Sequence, residues 1–332
     1  MDSSSSPVKK VPPTADPGAF PEWLSRQGYR VIQTPSSYWC QCGPRVFQAF
    51  PYHWLIHPDD EELNELFRDH RAIGLRYSTS ISSFQGIVSY HVVYEGPSYT
   101  LSELPKKARY DVRKGLNHAN IEPVTFERLA REGWKARAET LQRQGRVGAE
   151  SSTWWEKTCR SANDLPGFEA WAALINGNIV ASLLSFTDGD CCSILYQQSM
   201  TEHLRSGVNN ALTYKFTEEM LVRSGISRVF YGLHSLDAPA SVDEFKFRMR
   251  FTAKPVRQRV VFHPALEPFF NRVTHSTLKS VVGKYPAKPS LAKAEGLIRF
   301  YLQGRQKLYQ QPWPECLADR KEEIMRMASV TN

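Results

Sequence analysis

The sequence predicts a mixed α/β (α+β) fold in which a mixed sheet is flanked by helices. Short runs rich in β-branched and aromatic residues alternate with helical segments, and one strand, helix, strand series follows a hairpin. With 332 residues and 41% hydrophobic content, the chain is long enough for two domains. The chain has 8 Trp, 14 Tyr and 17 Phe, more than a disordered chain carries, so we expect disorder at the ends alone.

The first hundred residues predict a β-rich unit behind a disordered tail. Residues 1–18 are rich in Ser, Pro and Lys and bury too little apolar area to become ordered. One helix, Asp59 to His70, interrupts a series of short strands. The predicted strands are Tyr29 to Gln33, Val46 to Phe50, Ile73 to Tyr77 and Ile87 to Tyr94.

A basic stripe marks the next predicted helix, Ser102 to His118. Lys106, Arg109 and Arg113 recur at helical spacing on one face, opposite an apolar face. The stripe is either a solvated surface or a platform for a polyanionic substrate, and both alternatives stay open.

Helices then give way to strands. Helices are predicted over Phe126 to Gln144 and Ser151 to Ser161. Two strands, Phe168 to Ile175 and Asn178 to Phe186, are joined by Asn176-Gly177, a strong hairpin signal, and a third covers Cys192 to Ser199.

The loop before the following helix is a candidate phosphate site. The helix is predicted from Gly207 to Ser224 and is followed by a strand, Ile226 to Tyr231. Small residues would let the backbone approach a ligand, and the first helical N–H groups lack intrahelical partners. A helix N-terminus of this kind binds phosphate, although a plain helix cap is the alternative.

This order of elements resembles the GNAT acyltransferases. The resemblance implies that acyl-CoA is the co-substrate, with its pantetheine arm on the edge of the third strand and its pyrophosphate at the loop. The implied donor-binding residues are Gln198, Ser199, Met200, Arg205, Ser206, Gly207, Val208, Asn209 and Asn210.

A second motif is similar to the FemAB-like branch of these enzymes. Phe245-Lys246, followed by Phe251 and Pro255, looks like the signature after the last strand and helix crossover, and the resemblance covers roughly Tyr99 to His263. It implies two tandem GNAT-like halves, of which the first is degenerate. We therefore expect a degenerate half over residues 19–100, the acyltransferase domain over 101–264 and a helical extension over 265–332.

Three residues are candidates for the chemistry of acyl transfer to an amine. The resemblance puts Lys246 at the reaction centre, where a cation stabilises an oxyanion; a solvated helix lysine is the alternative. His234, just past the crossover strand, is the candidate base. Tyr196 on the third strand is the candidate proton donor to the leaving group, with a core tyrosine as the alternative. Lys106, Arg109 and Arg113 are the candidate substrate-binding residues.

Three classes of function stay open. The first is an N-acyltransferase that uses acyl-CoA on a small-molecule or peptide amine. The second is a Fem-type aminoacyltransferase whose donor is charged tRNA, for which the basic helix would bind phosphates. The third is a non-catalytic GNAT-fold module that binds a partner.

Net charge and cysteine spacing indicate which partners and which cellular compartment to expect. A net charge of +8 favours anionic partners, and six cysteines without C-x-x-C spacing predict free thiols and no metal site. Residues 1–18 lack a signal core, and no apolar run approaches the roughly 18 residues of a membrane span. We expect a cytoplasmic protein. An amphipathic helix, Leu291 to Leu308, packs either on its own domain or peripherally on the inner face of the membrane or a second subunit.

Overall fold

The structure is a computed structural model that describes residues 18–146, 148–235, 241–285 and 289–329. The tail predicted for residues 1–18 lies, except for Gly18, outside the described residues. The strands are β1 Val31–Gln33, β2 Tyr38–Gly43, β3 Val46–Phe50, β4 Gly74–Thr79, β5 Ile87–Glu95, β6 Asn120–Val124, β7 Phe168–Ile175, β8 Asn178–Asp188, β9 Cys191–Ser199, β10 Arg228–Leu233 and β11 Thr252–Phe262. The helices are α1 Ala19–Arg26, α2 Asp60–Arg68, α3 Lys106–His118, α4 Phe126–Glu132, α5 Trp134–Arg143, α6 Ser152–Arg160, α7 Val208–Val222, α8 Ser241–Arg248, α9 Arg272–Lys284, α10 Pro289–Gly304 and α11 Lys321–Ser329.

The described strands form one 11-stranded sheet in the order β1-β2-β3-β4-β11-β5-β10-β9-β8-β7-β6. Two parts of this sheet repeat one arrangement. In the first part, β3 is antiparallel to β2 and, after α2, parallel to β4. In the second part, β9 is antiparallel to β8 and, after α7, parallel to β10.

The strands that complete these two parts are exchanged. β11 from the end of the second part pairs with β4, whereas β5 from the end of the first part pairs with β10. β5 and β11 also pair with each other, so hydrogen bonds continue across the junction. The mixed α/β fold with two tandem halves is therefore confirmed, and the exchange joins both halves into one sheet.

Strand register assigns side chains to the two faces of the sheet, because successive residues point to opposite sides. Val92 and Ala253 are register partners that pack with the core beneath α7, and we call this side the α7 face. Helix α2 packs on the same face against Leu75 and Tyr77 of the first half. The opposite side, where α10 packs against Val260, is the α10 face.

Helix α1 connects the two halves on the α10 face. The ring of Phe20 lies 5.1 Å from that of Phe50 in the first half and 5.0 Å from that of Phe186 in the second. The Trp23 indole donates to the carbonyl of Thr158 in α6 at 3.0 Å. Through these aromatic contacts α1 packs against both halves of the sheet, and a cleft lies between the halves on the α10 face.

The predicted helix over Leu291 to Leu308 corresponds to α10. Ile298, Phe300 and Tyr301 are buried with Ile87 and Val260 of the sheet, so its apolar side packs on its own chain. Among the described residues, no helix combines the length and the apolar character needed to cross a bilayer.

One predicted helix is wrong, because the structure has two helices in its place. The segment Phe126 to Gln144 is two helices, α4 and α5, that meet at Gly133. A Cβ atom at Gly133 would lie 2.6 Å from the carbonyl oxygen of Leu129. The tight approach of neighbouring atoms therefore explains the glycine at this junction.

Candidate active site

A crevice opens between the parallel strands β9 and β10. Their register pairs end at Ser193 and Phe230, after which the strands separate toward their carboxyl ends. Each strand has a one-residue bulge near this point, Leu195 in β9 and Tyr231 in β10. Bulges re-aim side chains and occur often beside active sites, and ligands of open α/β sheets bind at the carboxyl ends of parallel strands.

Lys246 is held at this end of the sheet by a half-buried network. Its Nζ lies 2.7 Å from the Oδ1 of Asp243, one helical turn earlier in α8, and the two side chains are only 13% and 11% exposed. The Tyr90 hydroxyl donates to the other oxygen of Asp243 at 2.7 Å. The ammonium group also lies 5.1 Å from the centre of the Tyr231 ring. Lys246 is therefore oriented within the network and does not extend into bulk water.

A second set of side chains bridges the crevice to α7. The Tyr231 hydroxyl donates to the Oε1 of Gln197, across the gap between the strands. The amide nitrogen of Gln197 donates to Thr213 Oγ1 at 2.9 Å and to the Asn209 carbonyl at 3.4 Å. Burial raises the pKa of Tyr231, so its hydroxyl stays protonated. Lys246 and the first turn of α7 are thus connected through Tyr231 and Gln197.

The first turn of α7 presents free backbone donors. Gly207 is the N-cap and supplies no side chain, and no described residue accepts a hydrogen bond from the amides of Val208, Asn209 and Asn210. Four N–H groups at a helix start lack intrahelical partners and carry the positive end of the helix dipole. This turn has the donors that a phosphate group requires.

Position 207 requires a glycine because helix α3 packs closely against it, whereas the sequence predicted the approach of a ligand there. Its φ is +81°, and a Cβ atom there would lie 2.2 Å from the carbonyl oxygen of Asp111 in α3. A Cβ atom at Gly115 would in turn lie 2.3 Å from the carbonyl oxygen of Gly207. The backbone that approaches this glycine is that of helix α3, so the expectation that Gly207 makes room for a ligand is corrected.

The other predicted donor-binding residues lie around this turn, except Gln198, whose side chain is on the opposite face of the sheet. Ser199 accepts from Asn209 Nδ2 through its hydroxyl at 3.0 Å and from Arg143 through its carbonyl at 2.9 Å. Gln198 is buried and donates to Ser182 at 2.6 Å, on the α10 face. Met200 packs partly buried against the core beneath α7, and the Ser206 hydroxyl donates to the His203 carbonyl at 2.7 Å. Arg205 is exposed, and its carbonyl accepts from Lys114 of α3 at 2.9 Å.

Tyr196 does not join this cluster. Strict alternation from Cys192 would put it on the α7 face, but the bulge at Leu195 reverses the alternation. Its ring lies on the α10 face, 5.9 Å from the ring of Trp155 and 4.8 Å from the guanidinium of Arg137. The prediction that Tyr196 faces the reaction centre is corrected by this register shift.

His234 lies beside the network rather than within it. Its ring stacks on Tyr90 at 4.6 Å, and its Nδ1 is 3.2 Å from the Ser89 hydroxyl. Burial lowers the pKa of His234 to about 4, so the imidazole is neutral at physiological pH. Among the described residues, Tyr90 connects it to Asp243 and Lys246.

The basic stripe of α3 lies on the side of the helix that faces away from α7, because α3 packs on the start of α7 through Gly115 on its opposite face. Lys106 and Arg113 are exposed and Arg109 is half-buried. None of the three forms an ion pair with a described residue. Their charges are therefore available to an anionic ligand on the outer side of α3.

Comparison with solved structures identifies the fold. FemX aligns with a TM-score of 0.52 and 10% identity over 78% of this chain and 95% of its own. The fold is GNAT-like and of the FemAB type. L-PGS from Bacillus licheniformis aligns at a TM-score of 0.47 and 11% identity, covering 75% of this chain and 93% of its own. A GCN5-related N-acetyltransferase from Kribbella flavida aligns at a TM-score of 0.41 and 13% identity, covering 75% of this chain and 94% of its own. No protein-family model matches the chain, and no curated protein matches it by sequence.

The first half of this FemAB-type fold has closed its own crevice. β3 and β4 separate after Gln48 and Arg76, as β9 and β10 do in the second half. Tyr52 and Trp54 line the gap, which holds only about 10 Å³. That volume admits one water at most.

Four residues of the network escaped prediction: Tyr90, Gln197, Tyr231 and Asp243. The Asp243 and Lys246 pair has the i, i+3 spacing of helical neighbours, and this spacing could have revealed it. The other three meet only through strand pairing and the two bulges, for which the sequence carries no local signal. Among the described residues, no group of three or more His, Cys, Asp or Glu side chains could hold a metal ion.

Proposed function

We propose that this protein is an N-acyltransferase that moves an acyl group from acyl-CoA to an amine at the crevice between β9 and β10. One observation supports this most strongly. Lys246, fixed by Asp243 at 2.7 Å, belongs to the same network as the α7 turn with free amides. A cation for an oxyanion and donors for a phosphate therefore lie at one crevice of a GNAT-like fold.

The reaction needs three contributions from the chain. The amine nitrogen attacks the acyl carbonyl, a C–N bond forms, and negative charge develops on the carbonyl oxygen. Lys246 donates a hydrogen bond to that oxygen, an interaction that is strengthened because the side chain is mostly withdrawn from water. The C–S bond then breaks. The amine nitrogen loses one proton, and the sulfur of the leaving group gains one. Tyr231, with its raised pKa, replaces Tyr196 as the proposed proton donor.

The N-terminal turn of α7 would bind the pyrophosphate of the donor. Val208, Asn209 and Asn210 supply backbone amides, and Arg205 and Lys114 add positive charge beside them. His234 keeps its proposed role as a base. Its ring stacks on Tyr90 without a hydrogen bond between the two side chains, so it would have to take the proton of the amine directly.

A charged tRNA is the second candidate donor. The observation that favours it is the stripe of Lys106, Arg109 and Arg113, which has no described ion-pair partner and lies on the outer face of the helix that packs on the α7 turn. A row of unpaired cations suits an extended phosphate backbone better than a single pyrophosphate.

A non-catalytic binding module is the third candidate. The hydrogen bond between Tyr231 and Gln197 spans the crevice and would have to open before a pantetheine arm could enter. A permanent bridge would leave a GNAT-like fold without a donor site.

Ligand-induced stabilisation separates these candidates. A ligand that binds only the native state stabilises it by about 2.7 kcal/mol at 100 times its Kd. We expect acetyl-CoA or a longer acyl-CoA to raise the unfolding temperature of the full chain in a concentration-dependent way. Stabilisation by aminoacyl-tRNA alone would favour the second candidate, and stabilisation by neither would favour the third.

Asn210→Asp tests where the donor binds. An acidic residue in the first turn favours the helix dipole, so the variant should fold, yet it would repel a phosphate. The effect of acyl-CoA should shrink in this variant and persist in Asn178→Asp, an exposed hairpin position with the same charge change. Equal effects in both variants would place the donor elsewhere.

A further inference from the structure

A cavity of about 580 Å³ lies on the α10 face, in the cleft between the two halves. Its floor is formed by β5, β10 and β11, and its walls by the turn between β8 and β9 and by residues 53–57, which precede α2. Leu55, Glu95 and Lys254 are exposed at the rim, so the cavity opens to solvent there. It contains none of the residues assigned above to donor binding or catalysis.

The charges of the cavity do not balance. Arg228 pairs with Asp190 at 2.7 Å, and Lys254 pairs with Glu95 at 2.6 Å. Asp188 is the third carboxylate that lines the cavity, and its side chain is only 10% exposed. Among the described residues, no lysine or arginine pairs with it. One mostly buried negative charge is therefore left without a cation.

The neighbours of Asp188 do not neutralise it. The Trp54 indole donates to its Oδ2 at 2.8 Å, and His53 Nε2 lies 3.6 Å from the same oxygen. Burial lowers the pKa of His53 to about 4, so this imidazole carries no charge at neutral pH. Burial also raises the pKa of Asp188, and the Trp54 hydrogen bond and the charge of Arg228 offset this only in part. A bound cation would offset the desolvation of this carboxylate.

The aromatic side chains that line the cavity favour an organic cation over a metal ion. Trp54 and Phe230 line the cavity, and the Phe230 ring lies 6.0 Å from the ring of His53 and 5.3 Å from that of His91. Aromatic faces attract ammonium groups and also pack against an aliphatic chain. A divalent metal needs several oxygen ligands, whereas Asp188 is a single carboxylate, and no described group of three metal-ligating side chains exists.

The cavity and the crevice lie on opposite faces of the sheet. Phe230 in its floor and Tyr231 in the crevice are consecutive residues of β10 whose side chains lie on opposite faces. The Ser193 hydroxyl lies 3.4 Å from His53 Nδ1, and Ser193 with Phe230 is the last register pair before the strands part. A ligand bound at Asp188 would therefore lie on the opposite side of the sheet from Lys246.

We propose that this cavity binds a primary ammonium group at Asp188, at a site separate from the crevice of Lys246. The proposal follows from the cavity alone and does not depend on the proposed acyl transfer. The predicted ligand is an aliphatic primary amine whose chain lies against Trp54 and Phe230.

The test uses n-pentylamine and its uncharged analogue n-pentanol as probes of the full chain, with saturation-transfer NMR as the readout. We expect the amine to bind wild type at least about tenfold more tightly than the alcohol. Asp188→Asn should abolish this preference while retaining the Trp54 hydrogen bond. Asp164→Asn, an exposed site with the same charge change, should leave the preference intact. The comparison of the two probes on wild type needs no variant, and equal affinities there would overturn the proposal.

The outcome is distinguishable from failure of the proposed reaction. Lys246→Ala should bind n-pentylamine as wild type does, because Lys246 lies outside the cavity. Amine binding without acyl transfer would leave the cavity proposal standing and remove the enzymatic one. Acyl transfer by a wild type that binds n-pentylamine and n-pentanol equally would remove the cavity proposal instead.

Discussion

Lys246 Nζ lies 2.7 Å from Asp243 Oδ1, and the two mostly buried side chains form a pair at the carboxyl end of the crevice between β9 and β10. The same carboxylate accepts from Tyr90 at 2.7 Å, so Asp243 fixes the direction of the ammonium group. The proposed chemistry depends on this orientation, because an oxyanion donor contributes only when it is aimed before the charge develops.

Asp243→Asn should lower turnover more than donor binding. The amide keeps the shape of the side chain but no longer holds Lys246 by charge, so the ammonium group loses its fixed position. We expect kcat to fall by about tenfold or more while the acyl-CoA affinity stays close to that of wild type. A reduced affinity with unchanged kcat would show that Asp243 serves binding and not orientation.

Tyr231→Phe and Tyr196→Phe should differ sharply. Loss of a proton donor typically costs about 100-fold in rate, and Tyr231 faces the crevice. Tyr196 lies on the opposite face of the sheet, among the rings of Trp23, Trp154 and Trp155. Steady-state kinetics on both variants checks the assignment. Normal turnover in Tyr231→Phe together with a loss in Tyr196→Phe would reverse it.

Gly207→Ala should destabilise the fold strongly. A Cβ atom would clash with the Asp111 carbonyl at 2.2 Å and would also meet the strain of a positive φ, so we expect a loss of about 2 to 4 kcal/mol in unfolding free energy. Gly177→Ala is the matched control, because Gly177 has a φ of +79° and no neighbouring atom within 4 Å. Urea unfolding of both variants measures the difference. Equal losses would mean that α3 yields to the added atom.

Acidification should weaken the fold through three buried histidines. Burial lowers the pKa values of His53 and His234 to about 4 and that of His91 to about 3. The unfolded chain then binds more protons than the native state as the pH falls below about 6.5, so stability is lost in that direction. His91→Gln should reduce the pH dependence of the unfolding free energy between about pH 6 and pH 4 by close to one proton. A similar substitution at exposed His118 should not change it.

The parts of this fold that rest on local rules could be predicted from the sequence. Asn176 and Gly177 both adopt positive φ, as their hairpin turn requires, and β3 and β7 have the predicted bounds. The helix after Gly207 begins and ends within two residues of its prediction. Turn chemistry and helical periodicity operate over a few residues, and therefore leave a signal in the sequence.

Contacts between distant residues could not be predicted. The exchange that places β11 between β4 and β5 pairs Lys254 with His91, more than 150 residues apart, and nothing local specifies it. A single bulged residue, Leu195, moved Tyr196 to the other face. The cavity at Asp188 depends on Trp54 of the first half reaching β8 of the second, so neither half alone would have suggested it.

The most direct measurement of the central claim is thiol release from acetyl-CoA in the presence of a primary amine, compared between Lys246→Ala and Lys215→Ala. Lys215 is a matched lysine that pairs with Glu218 on α7 at 2.8 Å, outside the proposed site. We predict that Lys246→Ala lowers the rate by on the order of 100-fold and that Lys215→Ala leaves it unchanged. A rate in Lys246→Ala equal to that of wild type would contradict the role of Lys246 at the crevice.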